Sequence, residues 1–218
     1  MKEYASIPSW KKAVQGLPCL AFYKYDGSCI RSQYDRKKGW VKFGTRSRLL
    51  DKTDPDFGDA ITVFEKTMAE PLAKILHDHP DFRGMESAVA YFEYFGENSF
   101  AGVHDPNDEK QLVLIDVNIH KRGLVLPRSF IKIFTGIPVA QVVYEGNFNA
   151  QFIEDIKNST YKVEEGIVAK GIKPNFKKEQ HGLWMSKVKT KKWLDKLKAL
   201  ALTNPALQSV LSENLVEQ

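Results

Sequence analysis

Residues 20–23 form an apolar run that meets a lysine at position 24, then Asp26 and Gly27, before a second, alternating run over 28–34. This pattern predicts a strand, a tight Asp-Gly turn and a returning strand paired with the first. Upstream, residues 9–15 predict a short amphipathic helix with Ser9 as its cap. Alternation over 40–43 predicts a third strand ending at a turn on Gly44. The period then changes. Ile61, Phe64, Met68, Leu72, Ile75 and Leu76 recur at helical spacing, and Pro71 breaks the series into two consecutive helices.

Strand character returns over 88–95 and 111–119, the second run ending in a turn at 121–123. Residues 127–158 then predict a helix opened by Pro127, a short strand around 139–144 and a helix near 149–157. Two more strands follow, at 166–170 after a Glu-Gly turn and at 184–189. A helix starts near Thr190, and the last stretch reads as two short amphipathic helices. The class expected is α+β, an antiparallel-rich pair of sheets with helices outside.

Composition narrows this only modestly. The 218 residues are 43% hydrophobic and 27% charged, enough for a substantial core. A net charge of +5 points to an anionic partner such as a nucleotide or nucleic acid. Cys19 and Cys29 are too few for a disulfide framework or a thiolate metal site, and the start lacks the apolar core of a signal peptide. A reducing, cytoplasmic setting is expected, that of a host cell if the source is viral. No run approaches the roughly 18 apolar residues of a membrane span. His77 and His79 flank Asp78 at a polar helix end, which reads as a solvated terminus rather than a metal site.

Chemistry concentrates at a few positions. Lys24 lies among Phe22, Tyr23 and Tyr25, where partial desolvation favours the free amine and hence a nucleophile. Asp26 would hold that amine or take its proton. Glu93 interrupts an almost wholly apolar run, and a charge there is costly unless paired or bound. Lys187 and Lys189 share a face of their strand and can grip one anion together. Arg46 and Arg48, behind the Gly44 turn, are either loop charges or forks for phosphate or ribose oxygens.

Lys24-Tyr-Asp-Gly resembles the nucleotide-binding lysine motif of the covalent nucleotidyltransferases: ATP-dependent DNA ligases, RNA ligases and mRNA capping enzymes. Phe-Glu93-Tyr-Phe-Gly resembles the family's third motif, Glu165-Gly-Ile-Val-Ala-Lys170 the fourth, and Lys187-Val-Lys189 the fifth, in the family's order. The resemblance covers about residues 20–192. It implies an ATP-grasp-like ligase adenylation domain whose two sheets enclose a nucleotide cleft, with Lys24 carrying AMP. Phe22, Arg31, Arg46, Glu93, Val117, Glu165, Lys187 and Lys189 would contact the nucleotide. Val117, Ile119 and Phe134 all stay open as the apolar side chain against the adenine. Glu93 and Glu165 would hold Mg²⁺ or Mn²⁺, and Arg48, Lys170, Lys173, Lys177 and Lys178 would contact nucleic acid.

In this reading residues 1–192 are the nucleotidyltransferase domain and 193–218 a short helical tail, too short for the oligonucleotide-binding barrel of DNA ligases and capping enzymes. The chain therefore looks most like a minimal phage-type RNA ligase that seals a 5′-phosphate to a 3′-hydroxyl on RNA or DNA ends or a nicked duplex. A helper chain supplying the absent barrel is compatible with this. A minimal DNA ligase is the alternative. A capping-type guanylyltransferase and a non-catalytic nucleotide-binding module follow.

Overall fold

Strands β1 (Pro18–Lys24) and β2 (Ser28–Asp35) both form, but not as a hairpin. In the computed structural model, which describes residues 1–97, 107–173, 183–205 and 207–216, the two strands belong to different sheets. The expected Asp-Gly turn is a crossing from one compact unit to another. Cys19 through Phe22 are all buried, the mark of a central strand covered on both faces, and such a strand needs a neighbour on each edge. Gly27 instead lies against the strand that pairs with β2: a Cβ there would fall 2.4 Å from the Tyr94 carbonyl oxygen.

The first unit comprises Met1–Ala5 and most of the chain between Gly27 and Ala140. Its antiparallel sheet also contains β3 (Gly39–Thr45), β4 (Leu49–Leu50), β5 (Ser87–Phe95), β6 (Gln111–Ile119) and β7 (Gly123–Leu124), in the order β4-β3-β2-β5-β6-β7. Helices α1 (Gly58–Thr67), α2 (Ala69–Asp78) and α3 (Pro127–Ile133) belong to the same unit. Phe64 of α1 meets Phe43, Trp40 and Phe92 edge to face, and Phe82 stacks on Phe134. Each fully buried aromatic side chain contributes about 2 kcal/mol of apolar burial. The two predicted helices divide at Met68 and not at Pro71, which sits in the first turn of α2, where an N–H has no intrahelical acceptor to lose. His77 and His79 end α2 as expected of a solvated terminus: His77 pairs with Asp78, and the His79 ring accepts from the Asp81 amide.

The second unit comprises Ser6–Asp26 and the chain from Gln141 onward. Its antiparallel sheet has the order β10-β9-β1-β8, with β8 (Val142–Asn147), β9 (Gly166–Gly171) and β10 (Met185–Lys189). Helix α4 (Ala150–Lys157) starts at Asn149, whose side chain accepts from the Phe152 amide. Its Phe152, Ile153 and Ile156 pack with Cys19, Ala21, Ile167, Ala169 and Val188 on one face of the sheet. The helix expected near Ser9 is a single 3₁₀ turn, Trp10–Lys12, without a side-chain cap bond. Helices α5 (Lys191–Ala201) and α6 (Leu207–Val216) pack on each other through Leu194, Leu197, Ala201 and Leu207. Among the described residues, no helix is long and apolar enough to cross a membrane.

Candidate active site

In the second unit the residues of β1, β9 and β10 that alternate with the α4-facing core line up in rows. Leu20, Lys170 and Met185 form one row, Phe22, Val168 and Lys187 the next, and Lys24, Gly166 and Lys189 the third. Paired residues of antiparallel strands project to the same side, so four lysines share one face with Phe22. Sequence separation hides this: Lys24 and Lys189 lie far apart along the chain and flank the same glycine.

Glu165 precedes that glycine and is 3% exposed. Lys24 Nζ donates to its Oε2 at 2.7 Å, and Lys189 Nζ lies 2.6 Å from its Oε1. Burial pushes the Glu165 carboxyl upward, but the Lys24 and Lys189 ammonium groups outweigh it and hold the pKa below the ordinary glutamate value. For Lys189 burial wins: it lowers the pKa against the attraction of Glu165, and Lys24 and Lys187 lower it further. The nucleophile expected at Lys24 is thus a partly exposed amine in an ion triad with one buried carboxylate and a second, more buried lysine.

Gly166 makes the triad possible. A Cβ at this position would stand 2.0 Å from the Val188 carbonyl oxygen and 2.8 Å from the Lys189 Cα, both main-chain atoms of β10. Gly166→Ala is therefore expected to push β10 away and cost on the order of 3 kcal/mol, measured as a lowered denaturant midpoint. An unchanged midpoint would show that β9 and β10 do not pack this closely.

Thr190 ties the end of β10 to the main chain of Glu164 and Glu165. Its amide donates to the Glu165 carbonyl at 2.9 Å and its hydroxyl to the Glu164 carbonyl at 2.7 Å, while the hydroxyl oxygen caps α5 by accepting from the Trp193 amide. Asp26, 5% exposed, accepts from Trp193 Nε1 at 3.0 Å. The carboxylate that receives the Lys24 ammonium is thus Glu165, and Asp26 anchors the indole. Trp193 was legible in the sequence only as one apolar position of an amphipathic helix.

Two further expectations in this unit change. Lys170 is 2% exposed, with its Nζ 4.7 Å from the Phe22 ring centroid, so it lies buried on the Lys24 face and not in a solvated nucleic-acid groove. Lys173 is exposed. Lys177 and Lys178 lie outside the described residues.

In the first unit, pairing puts Cys29 with Glu93, Arg31 with Tyr91, and Tyr91 with Asp116 on the sheet face opposite the aromatic core. Burial and Glu93 push the Cys29 thiol up to about 12, while Arg46 and Arg31 pull it down. Glu93 thus stands opposite Cys29, and Arg31 two residues along the same strand face. Arg31, however, is 2% exposed and spends its Nε on the Thr45 carbonyl at 2.6 Å and its Nη1 on the Met1 carbonyl at 3.0 Å. It acts as a framework residue and not as the nucleotide contact expected of it. The Tyr4 hydroxyl donates to buried Asp116, a pairing that sequence spacing could not reveal. Arg48 is engaged by Asp54 and Asp56 in an exposed ion pair.

Val117 is also corrected. Its register with Ala90 turns it into the core beside Leu114, away from Glu93, and it is fully buried. The register of β5 with β6 shifts between Tyr91 and Phe92, leaving Ile115 as an extra residue beside Asp116. Half-buried Ile115 is the apolar residue this bulge offers near the polar face. Alternation without the bulge misassigns every residue beyond it. Glu93 belongs to the first unit and Glu165 to the second, and among the described residues no group of three His, Cys, Asp or Glu side chains gathers as a metal site.

No family model and no curated protein matches the chain in sequence. Solved structures do match in fold. A lysine-to-alanine variant of the Naegleria gruberi RNA ligase with ATP and manganese is 14% identical, with a TM-score of 0.65 over 89% of this chain. The same ligase with pyrophosphate is 15% identical, with a TM-score of 0.66 over 91% of this chain. Another variant of it, with AMP and manganese, is 12% identical at a TM-score of 0.66. The chain spans 58% of the length of the ligase chain it matches. The α+β architecture of two antiparallel sheets expected from the sequence is thus the one observed, and the fold is shared with that RNA ligase.

Proposed function

We propose that this chain carries out the nucleotidyl-transfer chemistry of an ATP-dependent polynucleotide ligase acting on 5′-phosphorylated ends, RNA ends foremost. The observation that carries the reading is the triad: Lys24 Nζ and Lys189 Nζ on the two oxygens of one buried carboxylate, Glu165, on a sheet face that also bears Lys170 and Lys187. A lone surface lysine would not need a buried counter-ion. The likeness in fold to an RNA ligase solved with ATP, AMP and pyrophosphate points the same way.

The residues divide the work as follows. Lys24, as the free amine, attacks the α-phosphorus of ATP; an N–P bond forms, the bond to pyrophosphate breaks, and AMP remains on Lys24 as a phosphoramidate. Lys24 must first lose its proton, which the neighbouring positive charge of Lys189 favours and Glu165 opposes. Lys187 and Lys189, one row apart on β10, offset charge on the polyphosphate as it departs. AMP then passes to the 5′-phosphate of a polynucleotide, and a 3′-hydroxyl displaces it to seal the strand.

Glu165 would be the carboxylate for a divalent cation that arrives with the nucleotide, and to hold it Glu165 would have to exchange an oxygen now taken by the Lys24 or Lys189 ammonium. The cation would supply further charge neutralisation at the leaving group. For Arg46 and Glu93 the motif resemblance supports nucleotide contacts.

Incubation of the protein with α-labelled ATP and Mg²⁺ is expected to leave label on the denatured band, and GTP to leave none. Joining assays on matched RNA, DNA and hybrid nicks would then rank the substrates. A protein that takes label only from GTP would be a capping-type enzyme, and one that takes none would defeat the reading.

A further inference from the structure

Helix α5 divides its lysines between two rows. Lys191 and Lys198 lie on one side with Asp195 and are occupied: Lys191 Nζ donates to Asn158 Oδ1 at 2.8 Å, and Lys198 Nζ to Asp195 Oδ1 at 3.0 Å. Lys192, Lys196 and Ala199 form the second row, at the spacings of four and three residues that make helical side chains neighbours. All three are exposed, and neither lysine has an ion pair or hydrogen bond with a described residue. Folding does not ask for this arrangement. Like charges four residues apart repel, and Lys192 also sits in the first turn, where the helix end is itself positive and no acidic residue offsets it.

We propose that the row of Lys192 and Lys196 on α5 grips the phosphate backbone of the polynucleotide being joined, close to its reacting end. The proposal deepens the nucleotidyl-transfer reading and rests on it for the identity of the anion. The net charge of +5 lies wholly in the second unit, since the acidic and basic residues of the first cancel, so an anionic chain is drawn to this unit. The row also starts beside the chemistry. Lys192 follows Lys189 by three residues, which limits their Cα separation to about 11 Å, and Lys189 shares the Glu165 carboxylate with Lys24. Helix α5 is fixed there, because the Thr190 hydroxyl caps it and the buried Trp193 indole donates to Asp26 at 3.0 Å. From Lys192 to Lys196 the helix rises about 6 Å, roughly the axial rise of two phosphates along one strand of a duplex. Lysine contacts to phosphate carry no base information, so the row grips RNA and DNA alike.

Two variants of the full chain test this: Lys192→Gln with Lys196→Gln, which empties the row, and Lys198→Gln, which removes one charge from the occupied side. Glutamine keeps the helix propensity of lysine, so both proteins fold. Binding of a fluorescent, 5′-phosphorylated nicked RNA duplex is followed by anisotropy without ATP, from about 50 to 200 mM salt. Emptying the row is expected to weaken binding about tenfold at the low-salt end and to flatten the slope of log affinity against log salt by about 1.5 to 2. In Lys198→Gln the slope stays near wild type. Self-labelling by α-labelled ATP, which needs no polynucleotide, proceeds at the wild-type rate in both. Transfer of AMP from the labelled double variant to RNA falls about tenfold at low RNA and recovers at saturating RNA.

Unchanged affinity and slope in the double variant overturn the row as a phosphate grip. An equal loss in Lys198→Gln does so too, because the effect would then be one of net charge. A wild-type protein that labels itself but binds neither RNA nor DNA, or sediments only with phosphatidylserine vesicles, also overturns the row while the nucleotidyl-transfer reading stands. Conversely, a wild-type protein that takes no label, yet loses RNA affinity once the row is emptied, overturns that reading and supports the row.

Discussion

Lys24→Ala is expected to abolish transfer of label from α-labelled ATP to the protein, a loss on the order of 10³-fold or more, because no other group can supply the bond-forming nitrogen. Lys24→Arg should be as inactive, since a guanidinium keeps its charge and offers no lone pair to phosphorus. Neither change should unfold the protein. The Lys24 side chain is 23% exposed, so its removal leaves little cavity, and Glu165 keeps Lys189 as a counter-ion at 2.6 Å. Circular dichroism and a thermal melt close to wild type, with no labelled band, would place the defect in the chemistry. Label that persists in Lys24→Ala and survives denaturation would mean that another side chain is the acceptor.

Glu165→Gln should be as damaging to activity and far worse for stability. An amide cannot neutralise two ammonium groups, and breaking a buried ion pair from one side costs about 3 kcal/mol. The loss should be visible as a lowered denaturant midpoint, with Lys24 and Lys189 left to repel each other. It should also depend on pH. The folded pKa of Glu165 lies below its ordinary value of 4.5, so its charged form contributes stability that is complete above that value and is lost as pH falls through the folded one. The stability gap between wild type and Glu165→Gln is thus expected to be full at neutral pH and to narrow in acid. A gap that stays constant through that window would mean that Glu165 is not held as a carboxylate by the two lysines.

The corrected positions share a cause. Val117 follows from the motif resemblance and the Lys24 hairpin from local periodicity, and both give way where a non-local partner decides the outcome. A bulge at Ile115 turned the first, and two flanking strands claimed the edges of the second. Arg31 is similar: its type and position suit an anion, but the carbonyls of Met1 and Thr45 reach its guanidinium first. Lys170 matches a motif and is expected against nucleic acid, whereas strand register buries it beside Phe22.

The sequence by itself determined most element types and boundaries, since the period of apolar positions and caps such as Asn149 and Thr190 are local properties of the chain. It also picked out Lys24 by its aromatic neighbours, Lys187 and Lys189 by their shared strand face, and Glu165 by the resemblance of its Glu-Gly segment to a family motif. Only the tertiary structure decided which carboxylate holds Lys24 and which face each strand presents. Those contacts span from tens of residues to well over a hundred, and their geometry is set by strand register and packing, which no window along the chain contains.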